Sequence, residues 1–311
     1  MTGRTWGSQQ QVFVAGVVNR GPQQLVYVAG VSANRTFEER DRNVTDEANL
    51  HTGPNNGAGP KYSIVIPAFN ESARIPATLE AVVRCIRARG WKAEVIVVND
   101  GSTDATADVV RQFARNAPEV RLMENPCNRG KGYSVRAGML EARGEIALFT
   151  DSDLSAPIEE AERLFAAIAE GADIAIGSRW LQRERQTQRQ PLYRQFFGRC
   201  FNAVTRTVMG MRFADTQCGF KAFTRAAAQT VFQLQTIERW GFDPEILFIA
   251  LHRGYWIIEV PVSWANDERS RMSYLKDGMK MLEDLAIVRL NALRGRYDKP
   301  VAVGQRAGET P

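Results

Sequence analysis

Ala147-Leu148-Phe149-Thr150-Asp151-Ser152-Asp153-Leu154 is the stretch on which the reading of this chain turns. A short apolar run ends in two carboxylates one residue apart. If the run is a buried strand, Asp151 and Asp153 emerge at its C-terminal end, where open α/β sheets collect their ligands. Hard divalent cations take oxygen ligands, and Mg²⁺ is commonly shared between one or two carboxylates and substrate phosphates. The pair therefore suits a metal ion and a phosphorylated ligand. An isolated Asp-x-Asp is more often a polar turn after a strand, so the surroundings must decide.

Working outward, apolar runs at 62–66, 94–98, 120–123, 145–149 and 173–176 predict strands. Between them, helical spacing predicts helices over 73–89, from 103 or 104 to 116, over 131–142 and over 157–170. Alternation of this kind implies a mostly parallel central sheet with helices on both faces, a Rossmann-like α/β fold. Polar, Gly or Pro residues follow each strand, which is where ligands gather.

Bulk composition narrows the chemistry. The 311 residues allow one large domain or two small ones. Only two histidines, His51 and His252, argue against histidine-based metal or triad chemistry. Cys85, Cys127, Cys200 and Cys218 have no paired spacing, so neither a disulfide framework nor a zinc site is expected. A net charge of +5 and a pI near 9.1 favour an anionic partner. No run approaches the length of a membrane span and no signal peptide is evident, so a cytoplasmic protein with at most peripheral membrane contact is expected.

Three further motifs follow strands. In Pro67-Ala-Phe69-Asn70-Glu71, Asn70 and Glu71 can accept hydrogen bonds from a base or ribose, and Phe69 offers an apolar wall. Asn99-Asp100-Gly101-Ser102 places a carboxylate beside a glycine that permits close approach. Asn128-Arg-Gly-Lys131-Gly132 opens a helix, where N–H groups and Lys131 favour a phosphate. Alone, the first two read equally well as capped turns, and the third reads more readily as a helix cap.

In this order the motifs resemble family 2 glycosyltransferases with the GT-A (nucleotide-diphospho-sugar transferase) fold, over about residues 62–295. The resemblance implies that Pro67, Phe69, Asn70, Glu71 and Asp100 cradle a nucleotide, with Asp100 on the uracil imide, and that Lys131 meets phosphate. It implies that Asp151 and Asp153 meet the nucleotide-sugar and its Mg²⁺ or Mn²⁺, Asp153 as the direct ligand. Polyprenyl-phosphate mannose synthases often carry a Gln two residues after the second Asp; here that residue is Ser155.

The second half speaks to the acceptor. From Arg179 to Arg212 there are eight arginines against one acid, Glu184. A solvated helix face normally mixes signs, so this segment points to an anion. Gly177-Ser178-Arg179 and Tyr193-Arg194 resemble the positions that hold the lipid phosphate in dolichyl-phosphate mannose synthases. Asp215-Thr-Gln217-Cys-Gly-Phe-Lys-Ala-Phe223, Arg239-Trp-Gly-Phe-Asp243-Pro-Glu245, Glu259-Val-Pro-Val-Ser-Trp264 and Ser270-Arg271-Met272 are most similar to dolichyl-phosphate β-glucosyltransferases. That similarity implies Asp215 and Gln217 near the sugar, Asp243 at the site floor and Arg271 as a further phosphate contact. Arg269-Ser-Arg271 stands where the family usually has Gly-Ser-Lys.

The expected activity is inverting transfer of a hexose, glucose from UDP-glucose, onto a polyprenyl (dolichyl-type) phosphate. Asp151, Asp153, Arg179, Arg194 and Asp215 are the candidate catalytic residues. Alternatives are another acceptor, or GDP-mannose as donor. Nucleic-acid binding is not expected, for want of a basic stripe interleaved with aromatics. Residues 1–60 read as a low-order extension and linker containing a possible hairpin, with strands at 12–17 and 26–31, and 296–311 read as a disordered tail. The last helix, over 273–294, either packs on the domain or lies at a membrane surface.

Overall fold

The structure is a computed structural model and describes residues 17–19, 25–29, 59–182, 186–188, 192–265 and 274–301. Strand β3 (Tyr62–Ala68) is buried at six of its seven residues, as a parallel strand covered on both faces must be. Helix α1 (Ile75–Arg89) begins with Pro76 and ends at Gly90, whose left-handed φ of 60° lets its N–H return to the last turn. Ile75, Leu79, Val82, Val83 and Ile86 are all buried, the face that the spacing predicts.

The alternation continues through β4 (Ala93–Asn99), α2 (Thr106–Ala114), β5 (Val120–Glu124), α3 (Lys131–Glu141) and β6 (Ile146–Phe149). A single 3-10 turn (Ile158–Glu160) then leads into α4 (Ala161–Ala169), followed by β7 (Ile174–Ser178). After β7 come β8 (Gln186–Gln188), α5 (Leu192–Met209), β9 (Lys221–Thr224), α6 (Arg225–Leu234), α7 (Phe242–His252), β10 (Ile257–Pro261), β11 (Trp264–Ala265) and α8 (Tyr274–Leu293).

Alternate residues of the strands feed two cores on opposite faces of the sheet. Ile64, Ile66, Val95 and Val97 face the core beneath α1, α2 and α4. Val65, Ile96 and Val98 face the one beneath α3, α6 and α7. Both faces are thus covered, as expected for this fold class.

With β1 (Val17–Asn19) and β2 (Leu25–Ala29) at one edge, the sheet order is β1-β2-β10-β7-β9-β6-β3-β4-β5. One feature departs from simple βα alternation: β9 lies between β6 and β7 and runs antiparallel to both. Its first residue, Lys221, sits opposite Phe149 and Ile176, so the start of β9 lies beside the C-terminal ends of the two strands that carry Asp151 and Arg179. Four residues containing a lysine give too weak a period to be read as a strand in advance.

Of residues 1–60, β1 (Val17–Asn19) and β2 (Leu25–Ala29) form an antiparallel pair, and β2 extends the sheet at β10. β2 coincides with the second apolar repeat; most of the first repeat lies outside the described residues. Packing also continues past 295, the expected end of the domain. Arg296–Asp298 form a 3-10 turn whose Tyr297 is fully buried.

Candidate active site

The acid pair sits on a pinned turn. Thr150 donates its N–H to Val65 at 3.0 Å, continuing the strand to the brink of the site. Thr78 Oγ1 holds the Ser152 carbonyl at 2.5 Å, and Ser155 donates its N–H to the Asp153 carboxylate at 2.9 Å. Leu154 adopts φ 47°, an uncommon conformation for a residue with a side chain. A side chain on Gly219 would overlap the Asp151 carboxylate, so the segment before β9 closes over the pair only because that residue is glycine.

Lys131, the first residue of α3, pairs with Asp151. Burial alone would lower the Lys131 pKa, but the charges of Asp151 and Asp243 prevail and raise it. Asp153 is raised by burial and then by the neighbouring charge of Asp151. Two crowded carboxylates at a strand end fit a divalent cation, which would relieve that repulsion. Among the described residues no group of three or more His, Cys, Asp or Glu side chains converges. A cation here would complete its shell with phosphate oxygens and water, as Mg²⁺ commonly does.

Behind the pair lies a buried ion pair that sequence reading did not assign. Lys221 has no exposed surface; it donates to the Cys218 carbonyl at 2.6 Å and to Asp243, in the first turn of α7. Its ammonium lies 5.5 Å from the centroid of Phe149. Asp243 is raised by burial in spite of Lys221 and Lys131. The signal was a lysine between apolar residues in Phe220-Lys221-Ala222-Phe223, since a fully buried lysine demands a partner. Asp243 thus lies buried against Lys221 and near Lys131. Burial pushes the Cys218 thiol up to about 12, so it packs rather than reacts.

Arg179, at the end of β7, forks onto Asp215 through Nε at 2.6 Å and Nη2 at 2.9 Å, and its own N–H adds a third bond at 3.1 Å. Burial opposes the charge on Asp215, yet Arg179 holds its pKa below the usual range. Glu259 on β10 accepts the N–H groups of Ala214 and Asp215 at 2.8 and 2.7 Å. Burial pushes Glu259 up to about 7 despite those bonds. Gln217 donates its N–H to Asp215 at 3.2 Å. One strand separates this cluster from the acid pair: Lys221 of β9 lies opposite both Phe149 and Ile176 and carries Asp243 as its partner. Arg194 belongs to α5, but its side chain lies outside the described residues, as does Arg271 altogether.

The loops that follow β3 and β4 are built differently. Pro67 is buried in β3, while Phe69 is 36% exposed. Asn70 has φ 54°, and its Oδ1 accepts the N–H of Thr103 at 2.8 Å. Ser102 and Thr106 accept the N–H groups of Asn70 and Glu71 at 2.9 and 2.8 Å, tying the first loop to the second. The Glu71 carboxylate lies 3.5 Å from Arg74. Asp100, 3% exposed, receives four donors: the side chains of Asn125 and Asn128 and the N–H groups of Arg129 and Gly130. The anion at the α3 N-terminus is therefore the Asp100 carboxylate, and it shapes the loop that presents Lys131.

A mostly parallel sheet, an antiparallel strand wedged beside an Asp-x-Asp turn, and loops gathered at the strand ends define a GT-A glycosyltransferase. The family described as glycosyl transferase family 2 matches residues 63–232, and the chain belongs to it. It is 41% identical to a dolichyl-phosphate beta-glucosyltransferase of Trichomonas vaginalis, over 72% of this chain and 69% of that protein. It is 32% identical to the Saccharomyces cerevisiae protein of the same name, over 89% of this chain and 86% of the relative. Among solved structures, glucosyl-3-phosphoglycerate synthase from Mycobacterium tuberculosis in complex with Mn²⁺, UDP and glucosyl-3-phosphoglycerate superimposes with a TM-score of 0.53. It is 21% identical and the match covers 88% of this chain and 89% of that one, a likeness of fold.

Proposed function

We propose that this enzyme transfers glucose from UDP-glucose to a dolichyl-type polyprenyl phosphate with inversion at C1. The observation that carries this is the placing of the acid pair and Arg179 at the ends of the two strands that flank β9. Asp151 and Asp153 with Lys131 suit a diphosphate and its cation, and Arg179 stands beside them, held by Asp215 for a second anion. Relatives that cover most of the chain bear the corresponding name.

An acceptor phosphate is already largely ionised near neutral pH, its second pKa being about 6, so no side chain need act as general base. The protein's task is to bring two anions together and neutralise them. Lys131 faces the charge that develops on the leaving UDP. A divalent cation held by Asp151 and Asp153, Mg²⁺ or Mn²⁺, would supply further charge neutralisation there when bound. Arg179, held in place by its fork onto Asp215, supplies fixed positive charge on the acceptor side. Phe69, Asn70, Glu71 and Asp100 border the nucleotide; Gln217 and Asp243 border the sugar; Arg194 and Arg271 add to the acceptor side.

No described helix is long and apolar enough to cross a membrane. α8 supports a peripheral membrane contact, on the cytoplasmic face. Met281, Leu285 and Val288 pack into the core, while Met279, Leu282, Ile287, Leu290 and Leu293 are exposed among Lys280, Arg289 and Arg294.

The test is incubation with UDP- and GDP-sugars, Mn²⁺ and a short polyprenyl phosphate, with the product weighed by mass spectrometry. A glucosylated lipid phosphate from UDP-glucose is expected. Preference for GDP-mannose, or transfer to a prenol lacking phosphate, would defeat the proposal. Arg179→Lys, which loses the fork, should raise the acceptor KM about tenfold and leave UDP affinity unchanged.

A further inference from the structure

Trp240 is 40% exposed, in the short loop between α6 and α7. Its ring centroid lies 5.5 Å from the Lys131 ammonium, the group that pairs with Asp151. The loop is braced on several sides. Glu245 accepts the N–H groups of Thr236 and Ile237 and the hydroxyls of Thr236 and Tyr297. Gln235 donates to the carbonyls of Gly132 and Ile237, and Tyr133 donates its N–H to Glu238 at 2.9 Å. Arg129 pairs with Glu238. Side chains at Gly130 or Gly132 would overlap this loop's backbone, and one at Gly241 would overlap Asp284.

A loop pinned by so many polar bonds does not depend on its tryptophan for cohesion. Much of the indole is left in water beside the diphosphate-binding lysine, which forgoes the stabilisation of full burial. An aromatic face is negatively charged and attracts groups carrying positive charge. The C–H groups of a pyranose, polarised by their neighbouring oxygens, match it.

We infer that Trp240 is the hexose-stacking residue, receiving on its face the sugar ring attached to the donor's diphosphate and contributing to the choice of sugar. This rests on the reading that Asp151, Asp153 and Lys131 hold that diphosphate. The acceptor's isoprenoid is assigned elsewhere because Arg179 has aromatic neighbours of its own: its guanidinium lies 5.6 Å from the Trp264 ring and 6.0 Å from that of Trp180.

The experiment compares wild type, Trp240→Phe and Trp240→Leu by calorimetric titration with UDP-glucose and with UDP, both with Mn²⁺, after unfolding curves confirm that each is folded. Trp240→Leu should weaken UDP-glucose about five- to tenfold and Trp240→Phe less than about threefold, while UDP binds all three equally. UDP-glucose should change the indole emission of the wild type beyond any change caused by UDP, and that difference should vanish in Trp240→Phe. Equal losses for UDP and UDP-glucose, or no loss in Trp240→Leu, would overturn the inference. So would unaltered donor binding with an acceptor KM that rises with prenyl length, which would put the isoprenoid on the ring. A wild-type protein that binds neither nucleotide would overturn the donor reading, and this inference with it.

Discussion

The two halves of the site hold their functional groups by different means. On the nucleotide side, β3 and β4 end in loops stitched by hydrogen bonds to backbone N–H groups, with Asn70, Ser102, Thr106 and Asp100 as the acceptors. On the transfer side, around β7, β9 and β10, the work is done by buried charges: Arg179 with Asp215, Lys221 with Asp243, and Glu259 beneath. The first half is shaped by hydrogen bonds around a single buried carboxylate, Asp100. Holding two phosphorylated molecules at one carbon requires charges that cannot swing away, and burial supplies that rigidity at a cost in stability.

Asp153 should show this cost most sharply. Asp153→Asn is expected to lower transfer by roughly a thousandfold, since charge stabilisation at the leaving group is commonly the largest catalytic contribution. Because burial and Asp151 raise the Asp153 pKa, its ionised form weakens the folded state at pH 7. The same variant should therefore unfold at equal or higher urea concentration. Activity assays and urea curves on one preparation check both; lost activity with lost stability would count against this account.

Lys221→Met comes next. It leaves Asp243 buried without its partner, for an expected loss of about 3–5 kcal/mol. The double variant Lys221→Met/Asp243→Leu should lose less than Lys221→Met alone, because neither charge then remains. Urea unfolding of the two variants measures the difference, and equal losses would mean that the pair is not coupled.

Glu259 gives the transfer side a pH signature. Its folded pKa of about 7 lies above the ordinary carboxylate value, so the protonated form is favoured on folding. Its contribution is fully present below about pH 4.5 and is lost as pH rises through 7, amounting to up to about 3 kcal/mol. Glu259→Gln should flatten that fall between pH 5 and 8, whatever its effect at a single pH. A slope unchanged in the variant would assign the pH dependence to other groups.

The same contrast explains what could be read in advance. The turns after β3 and β4 were legible because they are contiguous and follow β-branched runs, as in Pro67 to Glu71 and Asn99 to Ser102. The pairs of the transfer side join residues 36 apart for Arg179 and Asp215, 22 for Lys221 and Asp243 and 44 for Glu259 and Asp215. Local spacing carries no trace of such partners. They meet because β9 inserts between β6 and β7, and a four-residue strand that begins with a charge has no readable period. Asp100 shows the reverse limit: a strand-end carboxylate looks free for ligand, yet its partners are donors from a loop 25 to 30 residues downstream.

Asn70 sets the low end of the comparison. Its Oδ1 accepts N–H groups of Thr103 and Asp104 at 2.8 and 3.3 Å, and its φ of 54° falls where asparagine is tolerated better than most side chains. Asn70→Ala removes the acceptor and keeps the strained backbone, for an expected loss of about 1–2 kcal/mol. Asn70→Asp keeps both the acceptor and the tolerance for that φ and should lose less than about 0.5 kcal/mol. UDP affinity should fall with Asn70→Ala and acceptor KM should not, if the loop it ties down borders the nucleotide as proposed. If Asn70→Ala proved as costly as Lys221→Met, the polar stitching of the first half would be bearing as much as the buried charges of the second, and the division between the two sides would fail.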